Sequence, residues 1–111
     1  MFVKEIEAAE LAQLLAGDES VELIDVRTPG EAARGVIAGG QNLPLHLLPL
    51  HADQIAQRGR KVVFYCRSGA RSGQACMFMA QRGFDEAYNL RGGIISWVRN
   101  GEELVDLRQS A

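Results

Sequence analysis

The chain has 111 residues, of which 47% are hydrophobic and 23% charged, a composition typical of a single globular domain over residues 1–111. The net charge of −2 argues against bulk attraction to nucleic acid, and the acidic start of the chain lacks the apolar core of a secretion signal. No apolar run approaches the ~18 residues of a membrane helix, so we expect a cytoplasmic protein with neither nucleic-acid nor membrane partners.

Apolar periodicity and the positions of Gly and Pro predict strands and helices that alternate along the chain. The first half predicts, in order, a short strand over 2–6, a helix over 7–17, a buried strand over 21–26, a short helix over 29–35, and a loop with a short strand near Gln41 and Asn42. The second half predicts a helix over 48–59, a strand over 61–65, a helix over 71–82, a strand over 86–90, and a short helix over 92–101. This alternation favours an α/β fold with helices on both faces of a parallel sheet.

The loop "CRSGAR" follows the apolar strand 61–65 directly and is strongly polar. Ligands of open α/β sheets bind beyond the carboxyl ends of the strands, where this loop begins. Small residues allow it to curl with its N–H groups pointing inward, beside a helix N-terminus, and such amides bind anions. Our candidate site residues are Cys66 as the catalytic nucleophile and, for substrate binding, Arg67, Ser68, Gly69, Ala70 and Arg71.

These surroundings are expected to lower the pKa of Cys66, because helix N-termini and cations stabilise a thiolate. No separate general base is then needed. The expected chemistry is attack on sulfur, which leaves a covalent persulfide whose outer sulfur the amides hold. The alternative is that Cys66 is only a small buried residue at the end of a strand.

Four segments resemble, in order and spacing, the motifs of single-domain rhodaneses, which are sulfurtransferase modules. They are "LIDVR" (23–27) followed by Glu31, "GVIAGGQNLPL" (35–45), "YCRSGARS" (65–72) and "NLRGGIISW" (89–97). The resemblance implies a five-stranded parallel sheet flanked by helices, a catalytic cysteine at Cys66 and an anion-cradling loop over 67–71. Two positions depart from the family pattern: Val36 replaces a histidine that is normally structural, and Gly40 replaces the usual alanine, which is a small change.

The resemblance also implies an enzyme of the thiosulfate sulfurtransferase type. Its substrates would be thiosulfate or a similar anionic donor and, as acceptor, cyanide or a thiol, with the charge of Arg67 and Arg71 suited to a dianion. Two alternatives stay open: a persulfide relay between two proteins, and a non-catalytic regulatory module, although such modules in this family usually lack the cysteine. Four residues separate Cys66 from Arg71, one fewer than in phosphatases of related folds, and the shorter loop favours sulfur over phosphate chemistry.

Other conspicuous residues are expected to be structural. Asp25 and Arg27 end a strand and are predicted to form a buried ion pair, or a bond to Glu31, because charges near a core need partners. Gly92 and Gly93 predict a tight turn before the last helix.

Cys76 falls on the buried stripe of the helix 71–82, with Ser72, Met79 and Ala80, and is predicted to be a core thiol rather than a partner for Cys66. Two cysteines are too few for a disulfide framework and lack zinc-ligand spacing. His46 and His51 are predicted on the surface of a polar helix and offer too few ligands for a metal. We therefore expect neither a metal nor another cofactor.

Overall fold

The computed structural model describes residues 2–17 and 20–109, within which five strands and five helices alternate. The strands are β1 (Glu5–Ile6), β2 (Val21–Asp25), β3 (Gln41–Asn42), β4 (Lys61–Tyr65) and β5 (Ala87–Leu90). The helices are α1 (Ala8–Ala16), α2 (Pro29–Ala32), α3 (Leu48–Arg58), α4 (Ala70–Gln81) and α5 (Gly93–Arg99), with 3₁₀ turns at Leu45–Leu47 and Leu107–Gln109. None of the helices in this part of the chain is long and apolar enough to span a membrane.

The five strands are parallel and lie in the order β1-β5-β4-β2-β3, which confirms the predicted α/β fold. β4 is central: its Val63 pairs with Leu23 of β2 on one side and with Tyr88 of β5 on the other. Two neighbouring parallel strands must be joined by a crossover connection, and each such connection in this sheet contains at least one helix. The carboxyl ends of β2, β4 and β5 therefore meet at one edge of the sheet, where Cys66 follows β4.

Each face of the sheet has its own core. Successive side chains of β4 point to opposite faces, so that Val62 and Phe64 belong to one cluster and Val63 and Tyr65 to the other. The helices contribute Leu48, Ala52 and Ile55 from α3 and Ala75, Cys76 and Met79 from α4 to the first cluster, and Ala8 and Leu11 from α1 and Trp97 from α5 to the second. With both faces covered by helices, the carboxyl edge is left to the polar loops.

Most element boundaries differ from the sequence prediction by one or two residues, and α2 ends at Ala32, three residues earlier than predicted. β1 is shorter than predicted, because its register with β5 covers only Glu5 and Ile6. α4 begins at Ala70, one residue earlier than predicted, because Gly69 reverses the chain directly before it. The segment after α5, for which the sequence pattern assigned no element, returns to Val36, where Val105 exchanges N–H···O hydrogen bonds of 2.9 and 2.8 Å with it. Val36 is buried, so apolar packing occupies the position of the family histidine.

Candidate active site

Cys66 lies where the central strand ends, and the chain turns from it into α4 within three residues. Gly69 has φ 105°, a left-handed conformation that glycine adopts without a Cβ clash. This turn brings the first turn of α4 into contact with the Cys66 sulfur, and the residue as a whole is only 1% exposed. Ala70, predicted as part of the loop, is the first residue of the helix instead.

Two groups of the loop and helix donate to the sulfur. The Gly69 N–H lies 3.1 Å from Cys66 Sγ, and the Ser72 hydroxyl lies 3.3 Å from it. Burial by itself raises the pKa of the Cys66 thiol, but the Ser72 hydroxyl and the backbone N–H groups of Ser72, Gly69 and Ser68 together outweigh burial and hold the pKa below its ordinary value of 9.0. The surroundings therefore favour the thiolate, in the direction that the sequence predicted.

Asn89 of β5 connects both of these donors. Its amide Nδ2 donates to the Gly69 carbonyl at 3.0 Å, which leaves Oδ1 to accept the Ser72 hydroxyl at 2.6 Å. A hydroxyl has one proton, so Ser72 donates either to Asn89 or to the Cys66 sulfur at any moment. Asn89 is 5% exposed and Ser72 is fully buried, so both side chains are shielded from bulk water.

Neither Ser72 nor Asn89 was predicted as part of the site. Ser72 was assigned to the buried stripe of its helix, which is correct for its burial but omits its contact with the sulfur. Asn89 is a polar residue in the short apolar strand "AYNL", beside the strand that ends at Cys66. A buried amide in such a strand needs hydrogen-bond partners. This need was the one feature of the sequence that could have indicated a role for Asn89 beside Cys66.

Arg71 is not the free cation that the sequence suggested. Its guanidinium makes two hydrogen bonds to the Glu31 carboxylate, at 2.7 and 2.9 Å. The Arg71 guanidinium lowers the pKa of Glu31 to about 2, and the Thr28 N–H also contributes. This pairing joins α2 to the first turn of α4 and sets a carboxylate against the Arg71 charge beside the loop.

The predicted ion pair of Asp25 and Arg27 is confirmed, and it is buried. Arg27 Nη2 lies 2.7 Å from Asp25 Oδ2, and Arg27 Nε lies 2.9 Å from Asp25 Oδ1. The same guanidinium donates to the Gly35 carbonyl at 2.8 Å. The pair therefore holds the segment after α2 against the end of β2, a structural role.

The start of α5 closes over the loop. The N–H groups of Ile94 and Ile95 donate to the carbonyls of Cys66 and Arg67, at 3.0 and 3.3 Å. Gly92 and Gly93 have φ of 76° and 60°, which confirms the predicted tight turn. A Cβ on Gly93 would overlap the Cys66 and Arg67 backbone, so only glycine allows this close approach.

Cys76 belongs to the core, as predicted. Burial, and secondarily the charge of Glu5, raises the pKa of its thiol to about 12, so it stays protonated at neutral pH. Both cysteines are free thiols. His46 and His51 are exposed as predicted, although His46 lies in the 3₁₀ turn before α3. Across 2–17 and 20–109, no group of three or more His, Cys, Asp or Glu residues is arranged to hold a metal ion.

The fold and the site together define a class of small α/β domain, in which the central strand ends at a buried cysteine whose sulfur meets the loop and the first turn of the following helix. The family model of the rhodanese-like domain matches residues 7–100, and the chain belongs to this family. A "Sulfurtransferase" of Allochromatium vinosum is 50% identical over 103 residues, which are 93% of this chain and 95% of the relative.

Two further relatives are more distant. A "Putative sulfurtransferase YtwF" of Bacillus subtilis is 34% identical over 97 residues, which are 87% of this chain and 92% of the relative. A thiosulfate sulfurtransferase of Pseudomonas aeruginosa has a crystal structure that superposes with a TM-score of 0.86 at 25% identity, over 94% of this chain and 20% of that one. These similarities support transferase activity for this chain.

Proposed function

We propose that the protein is a sulfurtransferase that moves a sulfane sulfur from thiosulfate, or a similar anionic donor, to a thiophilic acceptor such as cyanide or a thiol. The observation that carries the proposal is the Cys66 sulfur itself, which accepts hydrogen bonds from Gly69 and Ser72 at the end of the central strand and has a lowered pKa. A thiolate held this way is a ready nucleophile toward sulfur.

The two half-reactions balance without an added acid or base. The Cys66 thiolate attacks the outer sulfur of thiosulfate; a new S–S bond forms, the bond to the sulfonate sulfur breaks, and its electron pair leaves with sulfite. The acceptor then attacks the outer sulfur of the persulfide, and Cys66 leaves as the thiolate. The negative charge moves by one sulfur atom in each step, so the loop amides and the first turn of α4 stabilise both states.

A persulfide relay between proteins is the second candidate. The observation in its favour is an exposed positive rim formed by Arg67, the residue after Cys66, and by Arg34, which lines the same cavity as Arg67; neither side chain has a hydrogen bond or ion pair within the described residues. An acidic protein surface could meet such a rim as a small anion could. Slow turnover with thiosulfate, together with rapid loading by a protein persulfide, would favour the relay.

Two other functions fit the site less well. A non-catalytic module has no need of a cysteine whose surroundings favour the thiolate, as those of Cys66 do. Phosphate-ester hydrolysis needs an arginine free to bind the phosphate, whereas Arg71 is engaged by the Glu31 carboxylate.

The test is the mass of the intact protein after incubation with thiosulfate, followed by peptide mapping. We expect a gain of one sulfur atom on Cys66 and its loss when cyanide is added. Cys66→Ser is expected to fold and to gain no sulfur, whereas Cys76→Ala, the matched control, is expected to gain it as the wild type does. Sulfur transfer by a folded Cys66→Ser protein would overturn the mechanism.

A further inference from the structure

The side-chain amide of Asn89 can face its neighbours in only one way. Its Nδ2 donates to the Gly69 carbonyl at 3.0 Å and to the Glu5 carboxylate at 3.5 Å, and both of these groups accept hydrogen bonds. A flipped amide would set its oxygen against both acceptors. The Oδ1 atom therefore faces the Ser72 hydroxyl, 2.6 Å away, and can only accept from it.

The backbone of Asn89 is held as firmly as its side chain. Asn89 pairs with Glu5 of β1 on one side and with Phe64 of β4 on the other. Its N–H donates to the Lys4 carbonyl at 2.9 Å. Oδ1 is thus a fixed acceptor beside the first turn of α4, and the Ser72 hydroxyl, which turns about a single bond, is the group that adjusts.

The charge on the Cys66 sulfur decides which way this hydroxyl turns. As a thiol, Cys66 can donate its proton to Ser72 Oγ, and the hydroxyl is then free to donate to Asn89, so every group has a partner. A thiolate is the stronger acceptor and draws the hydroxyl to itself, which leaves Asn89 Oδ1 without a donor. Because an unpaired buried acceptor costs free energy, Asn89 opposes this turn toward the sulfur.

Sulfur transfer would reverse the turn. In a persulfide, Cys66 Sγ is bonded to the outer sulfur, which carries the negative charge. Sγ is then a weak acceptor, and the Ser72 hydroxyl returns to Asn89. The hydroxyl therefore changes partner each time the sulfur is taken up and each time it is passed on.

We propose that Asn89 is a positioning residue for the transfer reaction: it accepts the Ser72 hydroxyl whenever the Cys66 sulfur is uncharged and competes for that hydroxyl while the sulfur is a thiolate. The proposal rests on the proposed function for the sulfur-loaded state. Its consequence for the free protein is a thiolate that is bound less tightly than Ser72 alone would bind it. A thiolate held in this way is more basic and a better nucleophile.

The test removes the amide oxygen with and without Ser72. Asn89→Leu keeps the size of the side chain, and the Gly69 carbonyl still accepts from the Gly73 N–H at 3.0 Å, so no buried group loses its last partner. Asn89→Val, with the branched side chain that suits a strand, is the second variant. Each is combined with Ser72→Ala, because the hold of Asn89 on Gly69 is lost in both backgrounds and only the competition for the hydroxyl differs.

The charged groups at this edge of the sheet are the same in both backgrounds, so their effects cancel from the comparison. They are Glu5 of β1, Asp25 and Arg27 at the end of β2, Glu31 of α2, His46 before α3, Arg67 of the loop, Arg71 of α4 and Arg91 after β5.

The measurement is the rate at which iodoacetamide modifies the Cys66 peptide across a pH titration. Relative to its effect in Ser72→Ala, Asn89→Leu in the wild-type background is expected to lower the midpoint, with roughly two- to tenfold more thiolate below it, the range for one neutral hydrogen bond. Above both midpoints its rate is expected to be up to about threefold lower. A lost support of the Gly69 N–H alone would move the midpoint upward, and equally in both backgrounds.

The matched control is Asn42→Leu. Asn42 Nδ2 donates to the carbonyls of Asp25 and Arg27, at 3.0 Å each, and within the described residues no hydrogen bond joins it to Ser72 or Gly69. This variant also removes an amide from the carboxyl edge of the sheet, but it is expected to leave the midpoint of Cys66 unchanged.

Nuclear magnetic resonance gives a second readout that needs no change at Asn89. The side-chain N–H signals of Asn89 are expected to shift as Cys66 titrates, and to shift less in Ser72→Ala, where only the charge on the sulfur acts on them. Equal shifts in the two proteins would overturn the proposal, whether or not the Asn89 variants fold.

The alkylation results can also overturn it. Equal midpoint changes in the two backgrounds, or a larger rise in the wild-type background, would show that Asn89 supports only Gly69. The sulfur-gain test is separate: the expected midpoint difference without sulfur gain would uphold the control of Ser72 by Asn89 and reject transfer from thiosulfate. Sulfur gain with equal midpoint changes would uphold the transfer reaction and reject the role of Asn89.

Discussion

Replacing Ser72 with alanine tests how the protein holds the Cys66 thiolate. The change removes a hydroxyl that lies 3.3 Å from Sγ and leaves the loop amides in place. A hydrogen bond to a charged group contributes ~1.5–3 kcal/mol. This one is long, and its proton is shared with Asn89 at 2.6 Å, so we expect the lower end of that range. A loss of about 1.4 kcal/mol means about tenfold less thiolate at a pH below the midpoint of its titration.

The reactivity of each thiolate partly offsets this loss. A more basic thiolate is a better nucleophile: in thiol exchange, the logarithm of the rate constant rises by about 0.4–0.5 for each unit of thiol pKa. A tenfold loss of thiolate is therefore offset about threefold. We therefore expect iodoacetamide to modify Cys66 of Ser72→Ala about threefold more slowly at low pH. Above both midpoints, where each thiol is ionised, the variant is expected to react about threefold faster. The two pH profiles then cross, and the midpoint of the variant lies higher.

The assay is the rate of modification of the Cys66 peptide, measured by mass across the titration. Cys76 does not interfere, since its pKa is raised to about 12 by burial. Ser20→Ala, an exposed serine elsewhere in the chain, is the matched control and is expected to reproduce the wild-type profile. If the profiles of Ser72→Ala and wild type coincide, the hydroxyl does not support the thiolate and belongs to Asn89 alone.

The same variant has a linked effect on stability. The pKa of Cys66 in the folded state lies below the ordinary value of 9.0, so the thiolate adds stability that is fully present above pH 9 and is lost as the pH falls through the folded-state pKa. This gain with pH is expected to be smaller in Ser72→Ala. Loss of the hydroxyl also leaves Asn89 Oδ1 without its donor, which costs ~1–3 kcal/mol at every pH.

Three further changes test the supports of the site. Cys76→Ala is expected to lower the free energy of unfolding by on the order of 1 kcal/mol, through lost packing, without slowing sulfur transfer; a loss of turnover comparable to that of Cys66→Ser would assign Cys76 to the chemistry. Gly93→Ala is expected to cost roughly 2–4 kcal/mol in urea unfolding, because a strained φ adds to an overlap with the loop backbone; Gly101→Ala, at φ 86° with open space around the new Cβ, is expected to show the strain alone. Glu31→Gln is expected to cost ~1 kcal/mol or less near neutral pH, since Arg71 and Glu31 are each about a third exposed. The pKa of Glu31 is about 2 against an ordinary 4.5, so the difference in free energy of unfolding between wild type and variant is expected to be full above pH 4.5 and to vanish as the pH falls toward 2. A difference that stays constant across this pH range would show that the charge of the pair contributes nothing.

The sequence alone was sufficient for the order of the elements and for the place of Cys66 at the carboxyl end of the central strand. Local rules decide these features: the apolar run of β4, proline at the first turn of α2 and glycine at the end of α3 each act within a few residues. The alternation of strands and helices then leaves few topologies, and the loop after a buried central strand lies at the carboxyl edge in all of them. For the same reason the sequence predicted the tight turn at Gly92 and Gly93.

The tertiary structure decided which side chains surround the sulfur and which charges remain free. Arg67 and Arg71 look alike in the sequence, but Arg71 is paired with Glu31, which lies 40 residues earlier, while Arg67 makes no such pair within the described residues. Asn89 contacts Gly69 and Ser72 only because β5 pairs with β4 in one particular register. Contacts of this kind depend on packing between strands and helices distant in the chain, and no local pattern of residues encodes them, because hydrogen bonds and ion pairs form between neighbours in space.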